Sequence, residues 1–210
     1  MTLPRLHAVT SDALLAEGRF EERARALIEE FGPTLALHLR GHRTAVRRIH
    51  EVAVTLVEPS GAAGTVLLVN DRTDVALAVG CGGVQLGRRS IPVQAVRALV
   101  GAGCRIGYSA HGADEAESAV AGGADFVFVG TIWSTASHPG EPGAGVGRIR
   151  ETADRLSVPV IAIGGVTPER TREASAAGAW GVAVQSGVWS ADDPAAAVRA
   201  YLKELQEVGA

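Results

Sequence analysis

Eight short apolar runs recur along the 210-residue chain, and segments of helix-forming residues separate them. Runs that stay apolar throughout are typical of strands buried on both faces. Where such strands alternate with helices, they form a parallel sheet covered by helices. The runs span residues 6–10, 34–40, 65–71, 83–87, 105–110, 125–133, 159–165 and 181–189.

Eight such units in a chain of this length predict a closed (β/α)8 barrel, the TIM barrel, as a single domain over residues 1–210. Intervening segments such as 114–123 and 168–178 end in glycine, which is typical of a helix C-terminus. A doubly wound open sheet is the alternative that the same alternation allows.

The composition argues against several classes of protein. A net charge of −3 gives no basic surface for nucleic acid. The first ten residues lack the apolar core of a signal peptide, and no apolar run is long enough to span a bilayer. We therefore expect a cytoplasmic protein without a membrane or nucleic-acid partner. Lys203, the only lysine, lies in the last helical segment, which argues against Schiff-base chemistry.

Small residues end two of the predicted strands. Gly164 and Gly165 close the seventh run, and Ser186 and Gly187 interrupt the eighth. In a TIM barrel the active site lies at the C-terminal ends of the strands, and phosphate is commonly held after strands seven and eight. Glycine leaves backbone N–H groups open to an anion. These positions predict a phosphate site, with tight turns as the alternative.

Period-two alternation in the second run places His38 and Arg40 on one face, and His42 continues that line past the strand end. A row of this kind at the catalytic end of a strand indicates catalysis or substrate binding. The alternative is that His38 is a hydrogen-bonded core residue.

Polar residues also follow strands three, five and six. Asn70 and Asp71 either provide oxygen ligands for Mg²⁺ or cap the next helix. Ser109 and His111 follow strand five, where the hydroxyl can donate to a ligand and the imidazole can cap a helix or carry a proton. Residues 134–140, which include His138, form either a polar flap over the ligand or a plain surface turn.

Taken in order along the chain, these segments resemble the thiamine phosphate synthase / TenI family over nearly the whole length. The motifs that carry the resemblance are HAVTSD, HLRGH, LLVNDRTDVALAVGCGGVQLG, IGYSAH, GADFVFVGTIWSTASHPG, PVIAIGGVTPER and GVAVQSGV. The resemblance implies a (β/α)8 barrel that acts in thiamine biosynthesis on a phosphorylated thiazole, either alone or joined to a pyrimidine diphosphate.

The resemblance also implies roles for single residues. The synthases read Gln-x-Arg-x-Lys in strand two, where this chain has His38, Arg40 and His42. Their Asn-Asp pair matches Asn70 and Asp71, which makes Asp71 a Mg²⁺ ligand if the chain is a synthase.

Other positions of the family pattern are kept in part. The serine of strand five is Ser109, and the second metal aspartate falls at Ser90. The Thr-x-Thr-Lys loop that spans both substrates becomes Thr135, Ala136, Ser137 and His138, so Thr135 and Ser137 are expected to bind substrate. The thiazole-phosphate contacts map onto Gly165, Gln185 and Ser186.

In lacking some of the synthase groups, the chain resembles the TenI branch. Members of that branch aromatise a thiazole phosphate tautomer by proton transfer without a metal. One metal carboxylate and both lysines of the synthases are absent here. Where TenI-type tautomerases carry a histidine after the strand-six glycine, this chain has Thr131. Thr131 is a candidate for substrate binding, but its hydroxyl is a poor general base. Another histidine has to move the proton: His38 is the leading candidate, followed by His111 and His138.

The main expectation is a TenI-like thiazole tautomerase, an isomerase without a cofactor, in which Arg40 holds a carboxylate or phosphate. The alternative is a divergent thiamine phosphate synthase, a transferase. It joins hydroxymethylpyrimidine diphosphate to thiazole phosphate and releases pyrophosphate with Mg²⁺, with Arg88, His42 and His138 in place of the missing groups. A non-catalytic barrel that binds a thiamine-pathway phosphate is a further alternative. The family resemblance also implies a homo-oligomer.

Overall fold

The computed structural model describes residues 2–135 and 142–207. These residues form a closed barrel of parallel strands, each paired with the next in sequence order, and β8 pairs with β1 to close it. The predicted (β/α)8 barrel is confirmed. The strands are β1 (Leu6–Val9), β2 (Leu35–Leu39), β3 (Val66–Asn70), β4 (Gly83–Leu86), β5 (Arg105–Ala110), β6 (Phe126–Val129), β7 (Val160–Ile163) and β8 (Gly181–Val184).

Helices follow the strands and pack their apolar faces against the outside of the barrel. They are α1 (Asp12–Leu15), α2 (Phe20–Phe31), α3 (Val46–Ala63), α4 (Thr73–Val79), α5 (Val93–Val100), α6 (Ala113–Ala121), α7 (Gly147–Arg155), α8 (Pro168–Ala176), α9 (Ser186–Trp189) and α10 (Pro194–Glu207). Among the described residues, no helix is both long and apolar enough to cross a membrane.

Two strands, β6 and β8, end well before the apolar runs that predict them. Beyond Val129 the backbone leaves the regular ladder, and Ile132 and Trp133 instead donate hydrogen bonds to the carbonyls of Ile163 and Gly164 at the end of β7. Beyond Val184 the chain coils into α9, whose Val188 and Trp189 are buried. Apolar residues in buried loops and short helices look like strand residues in a sequence, which explains the difference.

The barrel interior has a core of its own, separate from the layer between strands and helices. Side chains from alternate positions of the strands fill it: Val9, Ala36, Val66, Leu68, Phe126, Phe128, Ile161 and Ala183. Gly107 makes room for this packing, because a Cβ there would lie 2.3 Å from the ring of Phe126. The filled interior forms a floor, and the open space lies above it at the C-terminal ends of the strands.

Candidate active site

A pocket of about 410 Å³ opens at the C-terminal ends of the strands. All eight strands or the loops that follow them contribute to its lining, as expected for a TIM barrel. We call the part of the wall formed by the glycine turns after β7 and β8 the glycine end, and the part formed by basic residues after β2 and β4 the basic end. The lining residues after β2 and β4 are Arg40, His42, Arg88 and Arg89.

At the glycine end, the structure brings Gly164, Gly165, Gln185, Ser186 and Gly187 together in the pocket wall, as the sequence predicts. Gly164 and Gly165 have φ values of 98° and 65°, which only glycine adopts readily. A Cβ on Gly165 would lie 2.6 Å from the carbonyl oxygen of Ser134. The backbone conformation of this turn therefore requires glycine at both positions. The absence of side chains also leaves the backbone accessible to a ligand.

At the basic end, Arg40 is half-buried and its Nη2 lies 2.6 Å from Nε2 of His42. Burial lowers the pKa of Arg40, and the charge of Arg89 lowers it further, while Asp71 and Asp12 oppose the shift. Burial and the adjacent Arg40 also lower the pKa of His42. His42 is therefore neutral at pH 7 and accepts the hydrogen bond from Arg40.

Arg88 and Arg89 differ in their contacts. Arg88 lies 3.3 Å from Glu115, which also accepts a hydrogen bond from Tyr108 at 2.9 Å. Arg89 makes no hydrogen bond or ion pair with any residue that the structure describes, although it lines the pocket. A cation in a pocket wall that has no partner among the described residues is suited to bind an anionic ligand group.

Asp71 is held away from the helix that follows it. Its φ of 62° is left-handed, and its carboxylate accepts a hydrogen bond of 2.5 Å from the hydroxyl of Ser90. The N-terminal cap position of α4 is Arg72, and no side chain caps that helix. The expectation that Asn70 or Asp71 caps the helix is therefore wrong, because the carboxylate bonds across to the β4 loop instead.

Ser109 lines the pocket and accepts a hydrogen bond of 2.9 Å from Nε2 of Gln85. This contact leaves the hydroxyl proton of Ser109 available for a ligand. Sequence reasoning missed Gln85, a buried polar residue in an otherwise apolar strand. A glutamine within an apolar run is the signal that could have identified it, since a buried amide needs a hydrogen-bond partner.

His111, Thr131 and Thr135 also line the pocket. The backbone N–H of His111 donates to Glu115 at 2.9 Å, and its carbonyl accepts a hydrogen bond from Arg148. His111 therefore lies on a loop whose backbone is held by hydrogen bonds at both its N–H and its C=O. Ser137 and His138 lie outside the described residues.

His38 is not part of the pocket lining. It is 0% exposed in the barrel interior, where its Nε2 lies 2.8 Å from Nδ1 of His7, and His7 Nε2 lies 3.0 Å from the carbonyl oxygen of Pro4. Burial lowers the pKa of His7 to about 3; burial and the neighbouring His7 also lower that of His38. The predicted face of β2 is correct, but the expectation that His38 lies at the opening is wrong because it sits below the floor.

Comparisons with known proteins identify the family. The sequence model described as thiamine monophosphate synthase matches residues 6–188. The chain is 39% identical over 198 residues to a thiamine-phosphate synthase of Chloroflexus aurantiacus, a match that covers 93% of this chain and 89% of that protein. It is 43% identical over 158 residues to the thiamine biosynthesis bifunctional protein ThiM/ThiE of Symbiobacterium thermophilum, covering 74% of this chain but only 33% of that longer protein.

A solved structure agrees with the sequence comparisons. Thiamine phosphate pyrophosphorylase from Pyrococcus furiosus superposes with a TM-score of 0.83 at 28% identity, over 97% of this chain and 96% of that one. The chain therefore belongs to the thiamine monophosphate synthase family and is an enzyme of thiamine biosynthesis.

Proposed function

We propose that the chain is a thiamine-phosphate synthase, which joins hydroxymethylpyrimidine diphosphate to thiazole phosphate. This was the alternative in the sequence analysis, and it is the activity that the names of the similar proteins carry. The observation that carries it is that one pocket wall contains both the glycine turns after β7 and β8 and the arginines after β2 and β4, which suit two separate phosphorylated groups.

In this proposal the glycine end holds the thiazole phosphate, and Arg40, Arg88 and Arg89 hold the diphosphate. The bond between the pyrimidine methylene carbon and the diphosphate oxygen breaks, and the diphosphate leaves with the electron pair as pyrophosphate. The same carbon then forms a bond to the thiazole ring nitrogen. Positive charge at the basic end stabilises the negative charge that develops on the leaving group.

Mg²⁺, which the family resemblance implies, fits this donor set poorly. The position of the second metal carboxylate is Ser90, whose hydroxyl donates a hydrogen bond to Asp71. Among residues 2–135 and 142–207, no group of three or more His, Cys, Asp or Glu side chains is placed to hold a metal. The charges of Asp71 and Arg89 both act on the guanidinium of Arg40, so cations already lie close to this carboxylate. We therefore assign the neutralisation of the diphosphate to the arginines.

The test is to incubate the purified chain with both substrates and to measure thiamine phosphate and pyrophosphate by chromatography, with Mg²⁺ and with a chelator. We expect both products to form in equal amounts, only when both substrates are present, and with a rate that the chelator reduces less than tenfold. No product above the buffer rate in either condition would overturn the proposal.

Thiazole tautomerase remains a second candidate, and one specific observation favours it. Its substrate carries a carboxylate and a phosphate, and the same two pocket ends offer Arg40 and the glycine turns to these groups. Of the three histidines expected to carry the proton, His38 is fully buried outside the pocket lining and His138 lies outside the described residues, so His111 is the candidate in the described wall. Following the aromatisation of the thiazole carboxylate phosphate tautomer by ultraviolet absorbance, on the same preparation, separates the two activities.

A further inference from the structure

Two buried side-chain atoms near the base of the pocket have no hydrogen-bond partner among the described residues. They are Nδ1 of His38 and Oδ1 of Asn70. Asn70 ends β3 and lines the pocket, and it lies close enough to His38 for its amide to act on the pKa of that imidazole. Unpartnered buried polar atoms are rare and costly, so this pair requires an explanation.

The proton positions in the hydrogen-bonded pair His7 and His38 follow from the contact between His7 and Pro4. The carbonyl of Pro4 can only accept, so the nitrogen 3.0 Å from it, Nε2 of His7, carries a proton. The His7 imidazole is neutral because burial lowers its pKa to about 3, and its Nδ1 is therefore an acceptor. The nitrogen 2.8 Å away, Nε2 of His38, must then be the donor.

His38 is neutral as well, since burial and the neighbouring His7 lower its pKa. With its proton on Nε2, a neutral imidazole has only a lone pair on Nδ1. That lone pair requires a donor, and an Asn70 oxygen facing it would be a second acceptor. A half-turn of the Asn70 amide about its Cβ–Cγ bond replaces the oxygen with Nδ2 and its two protons.

We infer that His7 and His38 are positioning residues that hold the Asn70 amide with Nδ2 donating to His38, so that Oδ1 is presented to the pocket. Both unpartnered atoms are then accounted for: Nδ1 of His38 receives a proton, and Oδ1 of Asn70 awaits a ligand. The orientation is fixed by a relay that starts at a backbone carbonyl and passes through the two imidazoles.

An amide oxygen in the wall selects a ligand group that donates a hydrogen bond. It accepts from an uncharged N–H or O–H, and it repels the oxygens of a phosphate. Resting on the proposed synthase function, this group is the amino substituent of the aminopyrimidine, while the diphosphate lies toward the arginines. Asn70 then determines specificity for the pyrimidine ring, and the arginines bind the diphosphate leaving group.

The first test reads the tautomers directly, in the free protein and without any substrate. Long-range ¹H–¹⁵N correlation spectra of the chain labelled with ¹⁵N-histidine should show His7 and His38 as neutral Nε2–H tautomers at pH 7. An Nδ1–H tautomer or a charged ring at His38 would overturn the inference. This measurement does not depend on activity, so the relay and the synthase assignment can fail separately.

The second test removes the origin of the relay. In His7→Phe the Nε2 of His38 loses its acceptor, so the proton should move to Nδ1, the Asn70 amide should turn, and its NH2 should face the pocket. Calorimetry would compare hydroxymethylpyrimidine with its analogue that lacks the amino group. We expect a preference of about two- to tenfold for the amino compound in the wild type and none in His7→Phe.

Phe126→Leu is the matched control, because Phe126 packs against His7 with ring centroids 5.5 Å apart and takes no part in the hydrogen bonds. It should change packing in the same place and leave the His38 tautomer and the amino preference as in the wild type. Loss of the preference in both variants, or in neither, would show that the relay does not orient Asn70.

Discussion

Arg89 shows at the residue scale how the basic end of the pocket is prepared for a ligand. It lines the pocket without a hydrogen bond or ion pair to any described residue, whereas the adjacent Arg88 bonds Glu115. Its charge also acts on the half-buried Arg40. Two cations held close together raise each other's free energy, and an anionic ligand relieves that repulsion.

Arg89→Ala should weaken binding of pyrophosphate by about tenfold to a hundredfold, because it removes a charge-assisted hydrogen bond to the ligand. Calorimetry in the presence of a chelator measures this without turnover. Arg47→Ala is the control, since Arg47 pairs with Glu51 on the exposed side of α3 and the change in net charge is the same. Equal affinities in the two variants would show that Arg89 binds no ligand.

At the opposite end, Ser186 is the residue whose side chain is expected to meet the thiazole phosphate. Ser186→Ala removes one hydroxyl donor and should reduce the affinity for thiazole phosphate by about tenfold or more. Ser190, the C-terminal cap of the same helix α9, lies outside the pocket lining and gives the matched control Ser190→Ala. If both variants bind as the wild type does, the phosphate lies elsewhere.

Among the elements, the loop between β2 and α3 depends on a single carboxylate. Asp12, in the first turn of α1, accepts hydrogen bonds from the backbone N–H groups of His42, Arg43 and Thr44 and from the Thr44 hydroxyl. Partial desolvation raises the pKa of Asp12, but these hydrogen bonds outweigh it and lower the pKa to about 2. Helix α1 therefore anchors the loop that carries His42 into the pocket.

Asp12→Ala should speed hydrogen exchange at the amides of residues 42–44, with Asp74→Ala as a control that disturbs only the local pair with Arg72. The pKa of Asp12 is lower in the folded state than the ordinary value of about 3.9. Its contribution to stability is therefore complete above about pH 4 and is lost as the pH falls toward 2. A difference between wild type and variant that grows on acidification would contradict this assignment.

The turn after β7 makes a different demand. Gly165 combines a φ of 65° with a Cβ position only 2.6 Å from the Ser134 carbonyl oxygen. Gly165→Val should therefore lower the melting temperature of the whole barrel, and loss of phosphate binding in that variant would not identify the phosphate site. A valine variant that melts with the wild type would show that the turn can relax.

For the molecule as a whole, the strand number and the order of the site residues followed from the sequence because they depend on local pattern. Depth did not. Period-two alternation assigns His38 to the interior of the barrel, but it cannot say where the filled floor ends and the pocket begins. His7 gives no signal of its own in the sequence, since its partner lies 31 residues away and only the β1–β2 register brings the two together.

The proposed synthase holds two anionic groups at once, one at the glycine end of its pocket and one at the basic end. The most direct measurement is a calorimetric titration of thiazole phosphate into the protein, first alone and then in the presence of saturating pyrophosphate and a chelator. Thiazole phosphate should still bind, with an affinity within about threefold of its value alone, a free-energy change of less than about 1 kcal/mol. Displacement of one ligand by the other would mean that the pocket has a single anion site, and it would overturn the proposal of two sites.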